Sequence, residues 1–317
     1  MTVYVSPYNL PNNNYIDILK ECVINISGEK AHSLGELTLK DFFHRGSNTV
    51  IINWFDDYIF VNGRYSFLRF LGLLGKLALL RLLCKKVIYI KHNYKPHAAV
   101  EGSTMLALLQ KCIHFTADYS IAHSTGVKDC RYIPHPLYKS DHEVKEVLSS
   151  NLTRDIDYLV FGAIDRYKDI DKLLTTWPVE IKLHIYGICK DKELKCKLDR
   201  LIRTRELDVL WENAFLSESQ LSDLLLRTKF VIVNNKPGSM IVSGVFYHAL
   251  THGCNVLLRE SDFANYALNK LDKVSSYRLD DIQSSILKTE YRKISFEEIN
   301  HFSRCAINKE WGKLLND

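Results

Sequence analysis

The chain runs twice through an alternation of short β-rich apolar stretches and helix-length segments. In the first half the stretches are VYVS (3–6), TVIINW (49–54), KVIYIK (86–91), YSIAHS (119–124) and CRYIPH (130–135). In the second half they are DYLVFG (157–162), IKLHIYG (181–187), LDVLWE (207–212), KFVIVN (229–234) and CNVLLR (254–259). Helical patterns lie between most of them, as at 14–26 and 98–112. Strands separated by helices pair in parallel, because a parallel pair needs a crossover and the helix supplies it. The second series keeps one helix-length segment between successive strands, the order of a Rossmann-like domain. Between the two series, KSDHEVKEVLSSNLTRDID (139–157) is polar and holds no strand, and reads as the connection between two domains. The expected organisation is α/β: one domain over 1–145, a second over 146–294, and a helical segment over 295–317 that packs back on the first.

A length of 317 residues suits two domains. Apolar residues make up 46% and charged residues 25%, which is the balance of a globular chain. The formal charge of +5 is compatible with anionic substrates or an anionic membrane surface, and too small to argue for nucleic acid. Eight cysteines are scattered with no CxxC pair, which speaks against zinc ribbons and thioredoxin-like motifs and for reduced thiols in a cytosolic protein. The start MTVYVSPYNL lacks a basic segment followed by an apolar one, so no signal peptide is read there. The NIS at 25 and NLT at 151 are then chance matches to the glycosylation pattern.

The segment RYSFLRFLGLLGKLALLRLLCKK (64–86) is leucine-rich on nearly every helical face and carries cations along its length. A spanning helix needs about 20 largely uncharged residues, and the internal cations argue against one. Two readings stand open: a crossover helix buried against the first sheet, or an interfacial helix whose leucines enter a bilayer while its cations meet anionic lipids. Both hold together if one face turns inward and the other outward.

Two turns in the second half suit an anion. In VFGAIDRYKDIDKLL (160–174) a strand runs through Gly162 into a turn with Arg166 and Lys168 and then a helix start. Ligands of α/β sheets bind at the carboxyl ends of strands, and two cations beside a helix N-terminus suit a diphosphate. A solvated charged turn is the plain alternative. In VNNKPGSMIVSGVFYHALTHGCNVLL (233–258) a strand leads through a Gly/Ser loop containing Ser239 to a helix starting near Ser243 and Gly244. Backbone N–H groups at that start can hold a phosphate, with no side chain at Gly244 to block it. His248 and His252 stand four apart on this helix, a spacing able to hold zinc, but no third ligand is in sight and no metal is expected.

The order of these motifs resembles bacterial exopolysaccharide, capsule and O-antigen glycosyltransferases of the GT-B fold. FGAIDRYKD is similar to the family's FGxIRxYKG turn, and SGVFYHALTHGCNVL to its SGxxxxALxxGxPVI segment. VSPYNLPNNNYIDIL, YIKHNYKPH, IAHSTG and YIPHPLY resemble elements of its first domain, so the likeness covers most of the chain. It implies two Rossmann-like domains facing across a cleft, an acceptor site in the first and a nucleotide-sugar site in the second. On it, Gly162, Arg166, Lys168, Ser239, Ser243, Gly244 and His248 would contact a UDP- or GDP-sugar donor. The sequence departs from the pattern in places. Asp165 stands where the family has arginine, with Arg166 one place later. Met240 and His248 replace two donor-contacting glutamates, so stereochemical outcome stays open, and His248 is either a donor contact or a packing residue.

An inverting transferase needs a carboxylate or histidine to take the acceptor hydroxyl's proton. Asp56 and Asp57 follow the strand TVIIN and come first as that base, or else they cap a turn. Glu101, one helical turn beyond Ala98 where the family has glutamate, comes second, and His92 third. Asn93 and His97 follow the same strand as His92 and are expected on the acceptor. Asn13 and Asn14, in NLPNNNY, either bind acceptor sugar or cap a helix. The implied activity is a hexosyltransferase without metal or cofactor, acting on a lipid-linked glycan at the cytoplasmic face of a bacterial membrane. Its peripheral contact would be residues 64–86. The alternatives are a GT-B-type nucleotide-sugar epimerase and a non-catalytic, membrane-associated glycan-assembly subunit.

Overall fold

The computed structural model describes residues 1–316 apart from 12, 62 and 95–102. The chain forms two compact units, Met1–Pro136 with Arg304–Asp317, and Leu137–Ser303. Among the described residues each unit is built on a six-stranded sheet in which every pairing is parallel.

In the first unit the strands are β1 (Thr2–Ser6), β2 (His32–Ser33), β3 (Asn48–Asn53), then, beyond a small antiparallel pair β4 (Phe60–Val61) and β5 (Arg64–Tyr65), β6 (Lys86–Lys91), β7 (Tyr119–Ala122) and β8 (Arg131–Tyr132). They lie in the order β2-β1-β3-β6-β7-β8. Helix α1 (Tyr15–Ser27) crosses from β1, α2 (Phe67–Leu83) precedes β6, and α3 (Thr104–Thr116) precedes β7. The strands bury both faces, and alternation decides which layer each side chain meets. Val3, Val5, Ile51, Ile88 and Ile90 face α1 and the C-terminal helix. Tyr4, Val50, Ile52, Val87 and Tyr89 face α2 and α3.

The second unit begins with α4 (Asp141–Ser149). Its strands are β9 (Ile156–Phe161), β10 (Leu183–Tyr186), β11 (Val209–Glu212), β12 (Thr228–Val233), β13 (Asn255–Arg259) and β14 (Val274–Tyr277). The crossovers are α5 (Ile170–Thr176), α6 (Lys192–Thr204), α7 (Glu218–Leu226), α8 (Gly244–Thr251) and α9 (Asp262–Leu268), and α10 (Ile282–Lys288) and α11 (Phe296–Ile299) follow. The order β11-β10-β9-β12-β13-β14 is that of a Rossmann sheet, and it reverses between β9 and β12. Crevices at such a reversal, outside the carboxyl ends of the strands, are where these sheets take ligands.

The last helix, α12 (Arg304–Asn316), belongs to the first unit, as the sequence leads one to expect. It packs on α1 through Ile307, Trp311, Leu314 and Leu315. The buried Lys86 ammonium donates to Leu314 O at 2.9 Å and Leu315 O at 3.3 Å, at the helix's carbonyl end where the dipole favours a cation. Arg304 pairs with Glu21 of α1 at 2.7 Å.

The units part at Pro136 and Ser303, earlier than the break expected after 145 and later than the one expected after 294. The polar stretch 139–157 is not a free connection. Ser140 and Glu143 form a capping box, and Val144 and Leu148 are buried, so α4 is a packed helix of the second unit that contacts α11. The helical pattern expected from 98 is described only from Thr104, since 98–102 lie outside the described residues.

Candidate functional site

The reversal of the second sheet lies between β9 and β12, and the two anion-friendly turns follow those two strands. After β9 the chain passes Gly162 at φ 88°, then a 3₁₀ turn over Arg166–Lys168, and enters α5 through Asp169 at φ 49°. Gly187, after β10, presses on Gly162: a Cβ there would lie 2.0 Å from Gly162 O. Lys168 is 6% exposed, and its Nζ donates to Phe161 O at 2.8 Å. It makes no ion pair with any described residue. Burial lowers its pKa to about 8, with Asp165 pulling the other way, so it is mostly charged at neutral pH.

After β12, Ser243 caps α8, its hydroxyl accepting from Phe246 N. The N–H groups of Gly244 and Val245 make no hydrogen bond with the described residues. The two turns meet at Gly162. A Cβ placed there would lie 3.2 Å from Lys168 Nζ and 3.9 Å from Val245 Cγ2. The structure therefore brings Lys168, Gly162 and the start of α8 together. Gly244 is needed for a reason the sequence does not reveal: a Cβ there would stand 2.9 Å from the hydroxyl of Tyr138.

Other residues expected here already have partners within the protein. Arg166 is engaged by Asp191 at 2.6 Å and Glu193 at 3.2 Å, on an exposed surface. Ser239 donates its hydroxyl to Lys236 O at 2.6 Å and closes its own loop. His248 stacks on Tyr138 with centroids 3.6 Å apart and planes 7° from parallel, which favours its packing reading. His252 uses both ring nitrogens, on Ser222 Oγ at 3.0 Å and His248 O at 2.8 Å, and so does not form a metal pair with His248. Among the described residues no group of three or more His, Cys, Asp or Glu is placed to hold a metal ion.

In the first unit the carboxyl ends of the strands gather aromatic rings around Tyr15. Tyr15 O–H donates to His123 Nε2 at 2.8 Å, because His123 Nδ1–H is committed to Ile133 O at 2.8 Å. His135 Nδ1–H donates to Pro136 O at 2.7 Å. His92 stacks on Trp54 at 4.0 Å, and Trp54 itself sits in left-handed backbone at φ 47°. Asn53 donates its amide to Ser6 O, which turns Oδ1 to His92 Nε2 at 3.0 Å. Nε2 therefore carries the proton, and Nδ1 keeps a lone pair. Burial holds His92 well below the usual imidazole range, with His123 and His135 adding to it. Burial lowers His123 to about 4. His92 and His123 are therefore neutral at pH 7 and fit uncharged hydroxyl partners.

The two aspartates separate. Asp56 is buried and accepts from Gln110 at 2.9 Å and Tyr89 at 3.2 Å. Asp57 is half-buried and its carboxylate has no partner among the described residues. Burial, helped by Asp56, raises it to about 7, a value suited to a general base. Asn13 accepts from Tyr15 N at 3.0 Å and so serves the start of α1, while Asn14, at the cap position, makes no side-chain cap. Asn93 is half-buried. His97 and Glu101 lie outside the described residues.

Helix α2 presents two apolar stripes. Phe70, Leu73, Leu77, Leu80 and Leu83 are buried in the core. Leu68, Leu71, Leu79 and Leu82 are exposed, with Leu68 at 81%. At 3.6 residues per turn these four, with Gly75, fall on one outward strip. Arg69 and Lys76 flank it on one side and Arg81 on the other. Arg81 is held by Asp118 at 2.9 Å, and Lys86 is spent inside on α12. Phe43, at 87%, and Phe115, at 93%, are exposed on elements that pack against α2. No helix among the described residues is long and apolar enough to cross a membrane.

A cavity of about 350 Å³ lies at the opposite, amino end of the second sheet. Its cations and its tyrosine are already engaged: Arg154 on Leu225 O and His252 O, Lys293 on Ser150 O, Tyr291 on Gly253 O. The strand geometry and the unpaired Lys168 locate the candidate site better than this hollow does.

No protein-family model matches the chain, and no curated protein matches it. Solved structures do. HepE from Anabaena, solved with UDP-glucose, is 12% identical over 99% of both chains, with a TM-score of 0.62. An α,α-trehalose-phosphate synthase (UDP-forming) from Burkholderia xenovorans, solved with glucose-6-phosphate, is 9% identical over all of both chains, at 0.65. WaaG, a glycosyltransferase involved in lipopolysaccharide biosynthesis, is 10% identical over 99% of both, at 0.57. At such identities the likeness shows the fold, which is GT-B.

The neutral histidines make acid the weak side of stability. His123 and His252 are lowered to about 4, His252 by burial first. The unfolded chain takes up protons near pH 6.5 while the folded one does not, so stability falls as pH drops from there toward 4. Each such ring withdraws about 2 kcal/mol between pH 6.5 and 5. Urea unfolding at pH 7 and pH 5 is expected to show this loss; equal midpoints would contradict it.

Proposed function

We propose that the chain is a GT-B glycosyltransferase that moves a hexosyl group from a nucleotide diphosphate sugar to a lipid-linked bacterial surface glycan. The observation that carries the reading is the meeting of Lys168 and the start of α8 at Gly162, at the point where the second sheet reverses its order. A diphosphate leaving group gains charge as the glycosidic bond breaks. Lys168 and the N–H groups of Gly244 and Val245 are the donors available to stabilise it. The reading assigns that task to them and to no metal. UDP is the first probe because HepE, of like fold, was solved with UDP-glucose.

On this reading the first unit receives the acceptor. Asp57 takes the proton from the attacking hydroxyl, and His92 Nδ1 accepts a hydrogen bond from a sugar hydroxyl. Asp56 supports Asp57 by keeping its own carboxylate tied to Tyr89 and Gln110. The outward stripe of α2, with Arg69 and Lys76 beside it, rests on the anionic cytoplasmic face of the membrane where such an acceptor is held.

Three measurements test these parts. Lys168→Ala should weaken UDP binding by about 10- to 100-fold, the worth of a hydrogen bond to a charged group, in a variant that still folds. Calorimetry giving an unchanged constant would remove the donor site. Asp57→Asn should abolish turnover of a nucleotide-sugar panel, and the wild-type rate should climb as pH rises through about 7. A rate indifferent to both would return the base to other residues. In flotation with vesicles containing anionic phosphatidylglycerol, the wild type should rise with the lipid and a Leu68→Glu, Leu79→Glu variant should not. Equal flotation of both would exclude the α2 contact.

A further inference from the structure

Lys168 is followed directly by an aspartate, yet the two do not pair. Asp169 is buried, and its carboxylate is taken by Arg259 at 2.9 Å, Lys172 at 3.3 Å and Lys236 at 3.4 Å. Arg259 closes β13, the strand after the α8 crossover. The backbone of the same turn is gripped as well. Asn234, 2% exposed at the end of β12, donates its amide to Lys168 O and Asp169 O, each at 2.9 Å. Tyr277, at the end of β14, donates its hydroxyl to Asn234 Oδ1 at 2.7 Å. Two carbonyls on one side and a hydroxyl on the other leave the Asn234 amide a single orientation. Lys236 N–H adds a bond to Tyr167 O at 2.9 Å.

Three neighbouring strands thus hold the turn at Tyr167, Lys168 and Asp169, and they leave the ammonium without an ion pair among the described residues. Asp169 adopts left-handed backbone, which costs a non-glycine residue free energy, and the three cations around its carboxylate offset that. Asp165, on the same turn, is the acid whose charge acts on Lys168.

We propose that Arg259, Asn234 and Tyr277 are positioning residues: Arg259 holds the Asp169 carboxylate away from Lys168 while Asn234, set by Tyr277, fixes the backbone of the turn, reserving an unpaired ammonium for a phosphate-type anion. The diphosphate identity of that anion rests on the function proposed above; the positioning does not. Without Arg259 the carboxylate keeps only the two longer contacts, to Lys172 and Lys236, and more of its charge falls on Lys168. Without the Tyr277 hydroxyl the Asn234 amide loses its fixed orientation and the turn loosens.

The test reads Lys168 itself. In protein carrying ¹³C-labelled lysine, the Lys168 Cε signal is assigned by its absence in Lys168→Arg and titrated in the wild type, Arg259→Met and Tyr277→Phe. The wild-type midpoint should lie near the value of about 8 that burial gives it. In Arg259→Met it should rise by about one to three units, the effect of a carboxylate arriving close by. Pyrophosphate binding at pH 7 should weaken about tenfold or more in both variants, and Arg259→Lys should restore most of both properties. Folded variants that melt earlier yet keep the wild-type midpoint would reduce the network to a structural role and overturn the inference. Weaker pyrophosphate binding with an unmoved midpoint would make Arg259 a ligand in its own right, and would overturn it too. A shifted midpoint in a protein that binds pyrophosphate but not UDP would uphold the inference and remove the nucleotide-sugar reading alone, and binding of neither would overturn the phosphate assignment as well.

Discussion

An ammonium buried without a counter-ion is costly, and a fold keeps one only where the surroundings force it. Lys168 is that group, and much of the second unit is arranged around it. Gly162 is a glycine because a side chain there would meet Nζ, and Gly187 because the same loop leaves it no room. Asp169 is turned aside by Arg259, and Asn234, oriented by Tyr277, pins the carbonyls of Lys168 and Asp169. The parallel sheet sets the place. Its order reverses between β9 and β12, the crossovers leave to opposite sides, and the gap between them is lined by the two turns that follow those strands.

The first unit uses the same architecture with different chemistry. Where its strands end, the side chains are Tyr15, Trp54, His92, His123 and His135, with the tautomers of His92, His123 and His135 fixed by their hydrogen bonds and with His92 and His123 uncharged at neutral pH. A phosphate gains little from such a surface. A polyol gains more, since it offers hydroxyls to lone pairs and C–H faces to rings. The contrast between a cationic site and a neutral aromatic one is what assigns donor and acceptor to the two units in the proposed function.

Much of the fold was legible because strands covered on both faces read as unbroken apolar runs. β3, β6, β9, β12 and β13 stand where the sequence puts them. β14 was not legible: VSSY is short and carries two serines at the centre, so no apolar run marks it. The boundary at Pro136 was obscured by the polarity of α4, although Ser140 and Glu143 carry the spacing of a capping box and signal a helix start. The site was legible in part. The turn and the helix start announced themselves by glycine and charge. Which cation stays free did not, because Arg166 is claimed by Asp191 and Glu193 from α6 and its cap, a contact no local pattern encodes. Asp56 and Asp57 look alike in the chain and differ only through Tyr89 and Gln110. Tyr138 closes the YIPHPLY motif, but nothing local in that motif tells that it lies against the start of α8 and stacks on His248.

The central claim is that Lys168 and the start of α8 together grip a pyrophosphate. A crystal structure of the protein with UDP bound tests it most directly. The account predicts the β-phosphate within hydrogen-bonding distance of Lys168 Nζ and of the Gly244 or Val245 N–H, over Gly162. A nucleotide seated elsewhere, with Lys168 still bonded only to Phe161 O, would contradict it.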